Sequence, residues 1–118
     1  MGVICHNNII VTCDTFAENE FELVRAKAIE LFGDLVSSTV KTELNGYYSF
    51  FVGTDGSKEG WPEAEEAELK RKELCNYSDT FAYEDDSSPF NYVDLEYGEV
   101  WGGYIAHIPR TNVRVGRH

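Results

Sequence analysis

Seven side chains, from the first predicted strand and from the loop before the second helix, are suited to binding a small ligand. They offer hydrogen bonds, a positive charge and an aromatic ring: His6, Asn7, Asn8, Asp55, Ser57, Lys58 and Trp61. Asn and His side chains donate and accept hydrogen bonds, and a Trp ring is a flat surface on which a base can stack. The segment around Lys58 lacks the GxxxxGK[ST] order of a phosphate-binding loop. These residues still support the hypothesis of a site for a small ligand such as a nucleotide.

A second group of side chains is acidic and is suited to binding a basic protein. The chain has 21 acids against 10 Lys and Arg, which gives a net charge of −11. No base interrupts the acids of one late segment: Asp79, Glu84, Asp85, Asp86, Asp94, Glu96 and Glu99. Trp101 and Tyr104 follow, and aromatic residues are favoured anchors at protein interfaces. Direct binding to DNA or RNA is disfavoured, because it needs clustered Lys and Arg.

Catalytic chemistry is not predicted for this chain. A Ser or Cys nucleophile needs a His base and an orienting acid. Of the three histidines, His118 is terminal, His107 lies in a late segment, and His6 is expected to be a polar residue at a strand end. We therefore predict that the protein is not an enzyme and uses no cofactor.

Metal binding is not predicted either. The segment Glu84–Asp86 is acidic, but it lacks the D-x-D-x-D-G spacing of a calcium loop. Cys5, Cys13 and Cys75 include no CxxC pair, which a zinc site would require. We expect them to be buried, reduced thiols.

Composition indicates one globular domain of 118 residues, with 42% hydrophobic residues. The chain has no apolar run of the about 18 residues that a membrane-spanning helix needs. Its first residues, MGVICHNNIIVTC, show neither the basic leader nor the cleavage site of a signal peptide. A cytoplasmic protein is therefore expected.

Hydrophobic periodicity predicts alternating strands and helices. The first helix has Asp14 or Thr15 as its cap and Gly33 at its end, and the second begins at Pro62. The first helix buries an apolar stripe: Phe21, Val24, Ala28 and Leu31. The expected strands are Val3–Cys13, Leu35–Leu44, Tyr47–Val52 and Phe90–Tyr97, with a short extra strand at Tyr104–Ile108. Asn45-Gly46 suits a tight turn, and Asn76–Pro89 is expected to be a loop.

The order β-α-β-β-α-β predicts an α+β fold of the ferredoxin-like, or split-βαβ, type. It implies a four-stranded antiparallel sheet with two helices on one face and an open second face, which also allows a homodimer. The predicted domain covers residues 1–99, and residues 100–118 form an aromatic and basic extension. We expect Trp101 and Tyr104 to pack, and Arg110, Arg114 and Arg117 to contact either carboxylates of the same chain or a second acidic surface.

Three separated blocks of the sequence resemble a family of small bacteriophage and prophage proteins. The blocks HNNIIVTC, NGYYSFFVGTDGSKEGW and YEDDSSPFNYVDLEYGE resemble the family patterns HNxxIVT, NGYxSFF, DGSKEGW and YEDGSS, and they span residues 5–99. The chain differs from this pattern in its longer C-terminal segment and in Asp86, where the family pattern has Gly.

The resemblance implies an interaction protein rather than a particular reaction. The leading hypothesis is that the chain binds and inhibits or modulates a protein of the infected bacterial host, such as a defence or nucleic-acid-processing system. Its acidic surface would meet a basic surface of that partner, with carboxylates in the place of phosphates. The alternative hypothesis is a protein that binds or sequesters a nucleotide.

Overall fold

The fold is an α+β sandwich of one sheet and two helices, seen in a computed structural model that describes residues 5–56, 61–100 and 103–113. Its elements are β1 (Cys5–Cys13), α1 (Glu18–Phe32), β2 (Val40–Lys41), β3 (Tyr48–Val52), α2 (Pro62–Asp79), β4 (Phe90–Val100) and β5 (Gly103–Thr111). The strand order is β2-β3-β1-β4-β5, and every neighbouring pair is antiparallel. β1 therefore lies at the centre of the sheet.

The sheet has five strands, so the prediction of a four-stranded, ferredoxin-like sheet is wrong. β5 pairs with β4 from Val100↔Gly103 to Val93↔Thr111. It satisfies backbone groups along one side of β4 that would otherwise need other partners. Residues 103–111 of the segment expected to be an extension therefore form a strand of the sheet.

Both helices pack against the same face of the sheet, as predicted. Alternation along β1 turns Ile9, Val11 and Cys13 towards the helices, where they are buried. Phe21 lies at the centre of this core, with its ring centroid 5.4 Å from that of Tyr48 and 5.6 Å from that of Phe50. Burial of these apolar side chains is the main stabilising contribution to the fold.

The tight turns follow the predictions closely. Asn45 and Gly46 have φ values of 63° and 65°, the left-handed conformation that the Asn-Gly pair favours. Gly33, directly after α1, has φ 59°. Asp86 also has a positive φ, of 70°. Glycine adopts this conformation without strain, whereas few residues with a Cβ do.

Several predicted boundaries are wrong. Neither Asp14 nor Thr15 caps α1, since its N-cap residue is Ala17 and no side-chain cap bond forms. The second strand is two residues long rather than ten, because Ser37 contacts β3 by irregular bonds: its N–H donates to the Phe51 carbonyl, and its Oγ accepts from the Phe51 N–H, both at 2.8 Å. α2 continues to Asp79, into the segment predicted as a loop.

Within the described ranges, no helix is both long and apolar enough to cross a membrane.

Candidate partner-binding surface

The segment Tyr83–Ser87 between α2 and β4 forms a hydrogen-bonded turn, which we name the acidic turn. The Tyr83 N–H donates to the Ser87 carbonyl at 2.6 Å, and the Asp86 N–H donates to the Tyr83 carbonyl at 3.0 Å. Ser87 donates its N–H and its hydroxyl to one oxygen of Asp85, at 3.0 and 2.5 Å. The turn thus has a fixed backbone although Glu84, Asp85 and Asp86 are all exposed.

Hydrogen bonds within the acidic turn favour the ionised form of the Asp85 carboxylate. Hydrogen bonds from the side chain and the backbone of Ser87 lower the pKa of Asp85 below its ordinary value. Because these bonds favour the charged form, the turn geometry and the negative charge stabilise each other. The acidic turn is therefore an organised negative surface.

Tyr83 supplies an aromatic ring beside these charges, with 56% of its surface exposed. We predicted Trp101 and Tyr104 as the aromatic anchors and did not include Tyr83. Its position in the sequence could have identified Tyr83 as an exposed aromatic residue, because it directly precedes Glu84 in a polar segment that no predicted element buries. Trp101 lies outside the described residues, and of Tyr104 the backbone alone is described, in β5.

A groove of about 630 Å³ runs beside the acidic turn, with Asp79 and Asp86 among its lining residues. Asn112 fixes its other side: its Oδ1 accepts from the Tyr92 N–H at 2.9 Å, and its Nδ2 donates to the Phe90 carbonyl at 2.8 Å. The Tyr92 hydroxyl donates to both oxygens of Asp79 at 3.1 Å. Burial raises the pKa of Tyr92, and the neighbouring Cys75 and Asp79 raise it further. The Tyr92 hydroxyl therefore stays protonated and can donate to Asp79. A groove lined by two Asp residues, one of them held by Tyr92, can hold a Lys or Arg side chain.

Asp94 was predicted to belong to the acidic surface, but the structure places it elsewhere. It is opposite Ile9 in the β1–β4 pairing, so its side chain points towards the helices and is fully buried. Arg110 Nη1 donates to Asp94 Oδ2 at 2.5 Å, and Arg71 Nε lies 3.8 Å from the same oxygen. Burial raises the pKa of Asp94, and the two arginines oppose that rise.

The buried pair extends into a network that links α2, β4 and β5. Glu68 accepts hydrogen bonds from Arg110 and from Arg71, the latter at 2.9 Å. Burial acts to raise the pKa of Glu68, but these two bonds lower it below its ordinary value. Arg110 therefore contacts carboxylates of the same chain, as we expected for the late arginines.

A β-bulge places two side chains of β5 on the same face. Asp94 pairs with Arg110 and Glu96 pairs with His107, so β5 has one extra residue between these pairs. In a regular strand, residues three apart point to opposite faces. Glu96 contacts His107 Nε2 at 3.3 Å and accepts a long hydrogen bond of 3.4 Å from Asn7.

The structure therefore gathers four of the predicted partner-binding residues around one groove and turn: Asp79, Glu84, Asp85 and Asp86. Asp94 and Glu96 belong to the network on the helix-facing side of β4. Of Glu99 the structure describes the backbone alone, in β4.

Strand alternation separates the residues of the predicted ligand site. Asn7 points to the helix-facing side of β1, whereas His6 and Asn8 point to the opposite side. There the Asn8 side-chain amide donates to the Tyr97 hydroxyl at 2.8 Å, and the His6 ring lies 5.5 Å from the Tyr97 ring. His6, Asn7 and Asn8 thus cannot converge on one ligand.

Asn7 and Asp55 do line a common cleft of about 240 Å³ between the helices and the sheet. Lys70 and Arg71 of α2 line it as well. Its apolar lining comes from both layers: Ile9, Leu31, Phe32, Leu35, Val52 and Ala67. Trp61 is partly exposed directly before α2, and Ser57 and Lys58 lie outside the described residues.

Cys13 and Cys75 are buried free thiols, as predicted. Burial is the main cause that raises the pKa of each to about 12, and nearby acids add to it. A thiol with so high a pKa is almost never a thiolate at neutral pH and is a poor nucleophile. The side chain of Cys5 lies outside the described part of the structure.

No protein-family model matches this chain, and no curated protein or solved structure is significantly similar to it. Its function is therefore inferred from the geometry and charge of the described residues.

Proposed function

We propose that this chain is a binding protein that holds a basic partner protein at the acidic turn and the groove beside it. The observation that carries this proposal is a set of exposed carboxylates on a hydrogen-bonded turn, Glu84, Asp85 and Asp86. Among the ion pairs of the described residues, none involves these three side chains. Their charge is available to a partner.

Two physical properties favour binding at this surface. Because the turn is already held by internal hydrogen bonds, its ordering costs little free energy when a partner binds. The net charge of −11 attracts a basic partner at long range and raises the rate of association. Tyr83 would then provide the aromatic contact that interfaces favour.

The resemblance to bacteriophage proteins leads us to propose a host protein as the partner, in the cytoplasm of an infected bacterium. A nucleic-acid-binding site fits best, because its Lys and Arg side chains are arranged to hold phosphates. The carboxylates of the acidic turn would occupy the phosphate positions. Blocking such a site would inhibit a defence or nucleic-acid-processing protein.

The proposal is tested with two variants of equal net charge. The turn variant replaces the three carboxylates by amides: Glu84→Gln, Asp85→Asn and Asp86→Asn. The control variant makes the same change of charge on and after α1, at three exposed acids: Glu18→Gln, Glu22→Gln and Asp34→Asn. Partners captured from a host lysate by the wild-type chain are identified, and the affinity of each variant for them is measured over a salt series.

The turn variant is expected to bind about tenfold more weakly, at about 0.5 kcal/mol for each interfacial charge. The control variant is expected to bind like the wild type, because its net charge is the same and its turn is unchanged. Wild-type affinity should fall as salt rises. Equal loss in both variants, or an affinity that salt does not change, would contradict the proposal.

The cleft lined by Asn7 and Asp55 supports a second candidate function, the binding of a nucleotide or a related small ligand. Its about 240 Å³ lies below the about 300–1,000 Å³ of typical small-molecule sites, so a nucleobase fits it better than a whole dinucleotide. In a thermal-shift screen of mono-, di- and cyclic nucleotides, a binder is expected to raise the melting temperature, and Asn7→Ala should abolish the rise. A flat response to every nucleotide would remove this candidate.

A further inference from the structure

The face of the sheet that carries no helix, which we name the open face, is a sizeable apolar surface. Three of its side chains are well exposed: Ile10 at 39%, Phe51 at 49% and Val40 at 60%. Leu95 and Tyr97 of β4 complete a shallow groove of about 540 Å³. A contiguous apolar surface of this kind on a small domain marks an interaction site.

Among the side chains that the structure describes, the open face also carries no formal charge. The strand residues on it whose side chains the structure describes include no Asp, Glu, Lys or Arg, although the chain contains 31 such residues. In the central strand β1, the described side chains on the open face are His6, Asn8, Ile10 and Thr12. In the neighbouring strand β4 they are Asn91, Val93, Leu95 and Tyr97. The negative charge that the structure describes therefore lies on the helices, on the turns and on the helix-facing side of β4, where Asp94 and Glu96 are located.

We infer that the open face is covered by a second copy of this chain, so that two sheets pack face to face. A basic partner would find no carboxylates there to pair with its own charges, and burying unpaired charges is costly. A second copy presents the same uncharged surface. In this arrangement the acidic helices point outwards, which keeps the net charge of −11 on each copy away from the interface.

The size of the open face fits a reversible dimer. From strand spacing and rise, the face of this five-stranded sheet measures roughly 20 by 25 Å, or roughly 500 Å² in each copy. Two copies would bury about 1,000 Å² in total, which is near the lower limit of specific interfaces. Sheets that pack in this way lie about 10 Å apart, with strand directions within about 30° of each other.

The mass of the protein in solution, measured over a wide range of concentration, tests the inference. The wild type is expected to approach twice its 13.4 kDa chain mass as concentration rises. Phe51→Glu and, separately, Val40→Glu should remain monomeric at concentrations where the wild type is a dimer. The matched control is Leu69→Glu, which introduces the same charge at an exposed apolar residue of α2 and should leave the dimer intact.

Circular dichroism shows whether each variant folds, and Val40→Glu decides the outcome if Phe51→Glu does not fold. A wild-type chain that stays monomeric at every concentration would overturn the inference, as would variants that dimerise like the wild type. The inference would also be overturned if the wild type were a monomer that binds a different protein and Phe51→Glu abolished that binding.

The dimer does not depend on the acidic turn, and salt separates the two proposals. Salt screens repulsion between two negative copies, so the fraction of dimer should hold or rise with ionic strength. Binding of a basic partner at the acidic turn should fall under the same conditions. Either proposal can thus fail while the other stands.

Discussion

Replacing Arg110 by leucine is expected to lower the free energy of unfolding by about 3 kcal/mol at neutral pH. Arg110 makes the shortest described contact to Asp94, which is fully buried. Without it, the Asp94 carboxylate would remain in the core with Arg71 as its nearest cation, at 3.8 Å. The lower end of the usual penalty applies because Arg71 still compensates part of the charge. Urea denaturation of the variant and the wild type measures the difference.

The loss of stability should shrink as pH falls. Burial raises the pKa of Asp94 above 3.8, and removing Arg110 takes away one of the charges that oppose this rise. A carboxyl group with a raised pKa binds its proton first in the folded state. Between the ordinary pKa and the raised one, the folded state therefore holds more protons than the unfolded state, and stability increases on acidification. The difference between variant and wild type should be smaller at about pH 5 than at pH 7.

A double variant separates the unpaired charge from lost packing. With Asp94→Leu added to Arg110→Leu, no charge of this pair remains buried, and a large part of the lost stability should return. The control is Lys41→Leu, which removes an exposed cation that is not in the network. If the single variant were as stable as the wild type, or the double variant lost as much as the sum of both single changes, Asp94 and Arg110 would not be coupled.

Replacing Phe21 by alanine is expected to lower the free energy of unfolding by about 3–5 kcal/mol. The side chain is fully buried where α1 meets β3, and its ring contacts Tyr48 and Phe50. The substitution removes these contacts and leaves a cavity that a close-packed core fills only in part. A domain of this size has about 5–15 kcal/mol of stability, so the variant should unfold at much lower urea concentration.

The chain provides its own control for this prediction. Phe16 is 97% exposed, and Phe16→Ala makes the same chemical change without a cavity. Its effect should lie within about 0.5 kcal/mol of zero. Similar values for Phe16→Ala and Phe21→Ala would show that Phe21 is not part of the core.

The network and the open face lie on opposite sides of the same strands. In β4, Asp94 faces the helices, whereas Leu95 faces the open side. Charge that is buried on the helix side is therefore paired within the chain, and the open side needs no such pairing.

Sequence alone determined the elements whose causes are local. The apolar stripe predicted for α1 correctly identified its buried side. The Asn45-Gly46 turn and the start of α2 at Pro62 followed from backbone preferences of single residues. Such features depend on neighbours within a few positions, so a sequence pattern is enough to predict them.

Only the tertiary structure decided which distant residues meet. Arg110 contacts residues 16 and 42 positions away, Asp94 and Glu68. It does so from β5, which extends beyond the short extra strand predicted at Tyr104–Ile108. The bulge in β5 then turned His107 and Arg110 to the same side, which no regular alternation predicts. The β1–β4 register places Asp94 on the buried side of the sheet rather than on the expected acidic surface. Asp79 and Asp86 line one groove although they come from α2 and from the turn after it. Strand register sets these contacts, and it is fixed by hydrogen bonding and burial across the whole sheet rather than by any one segment.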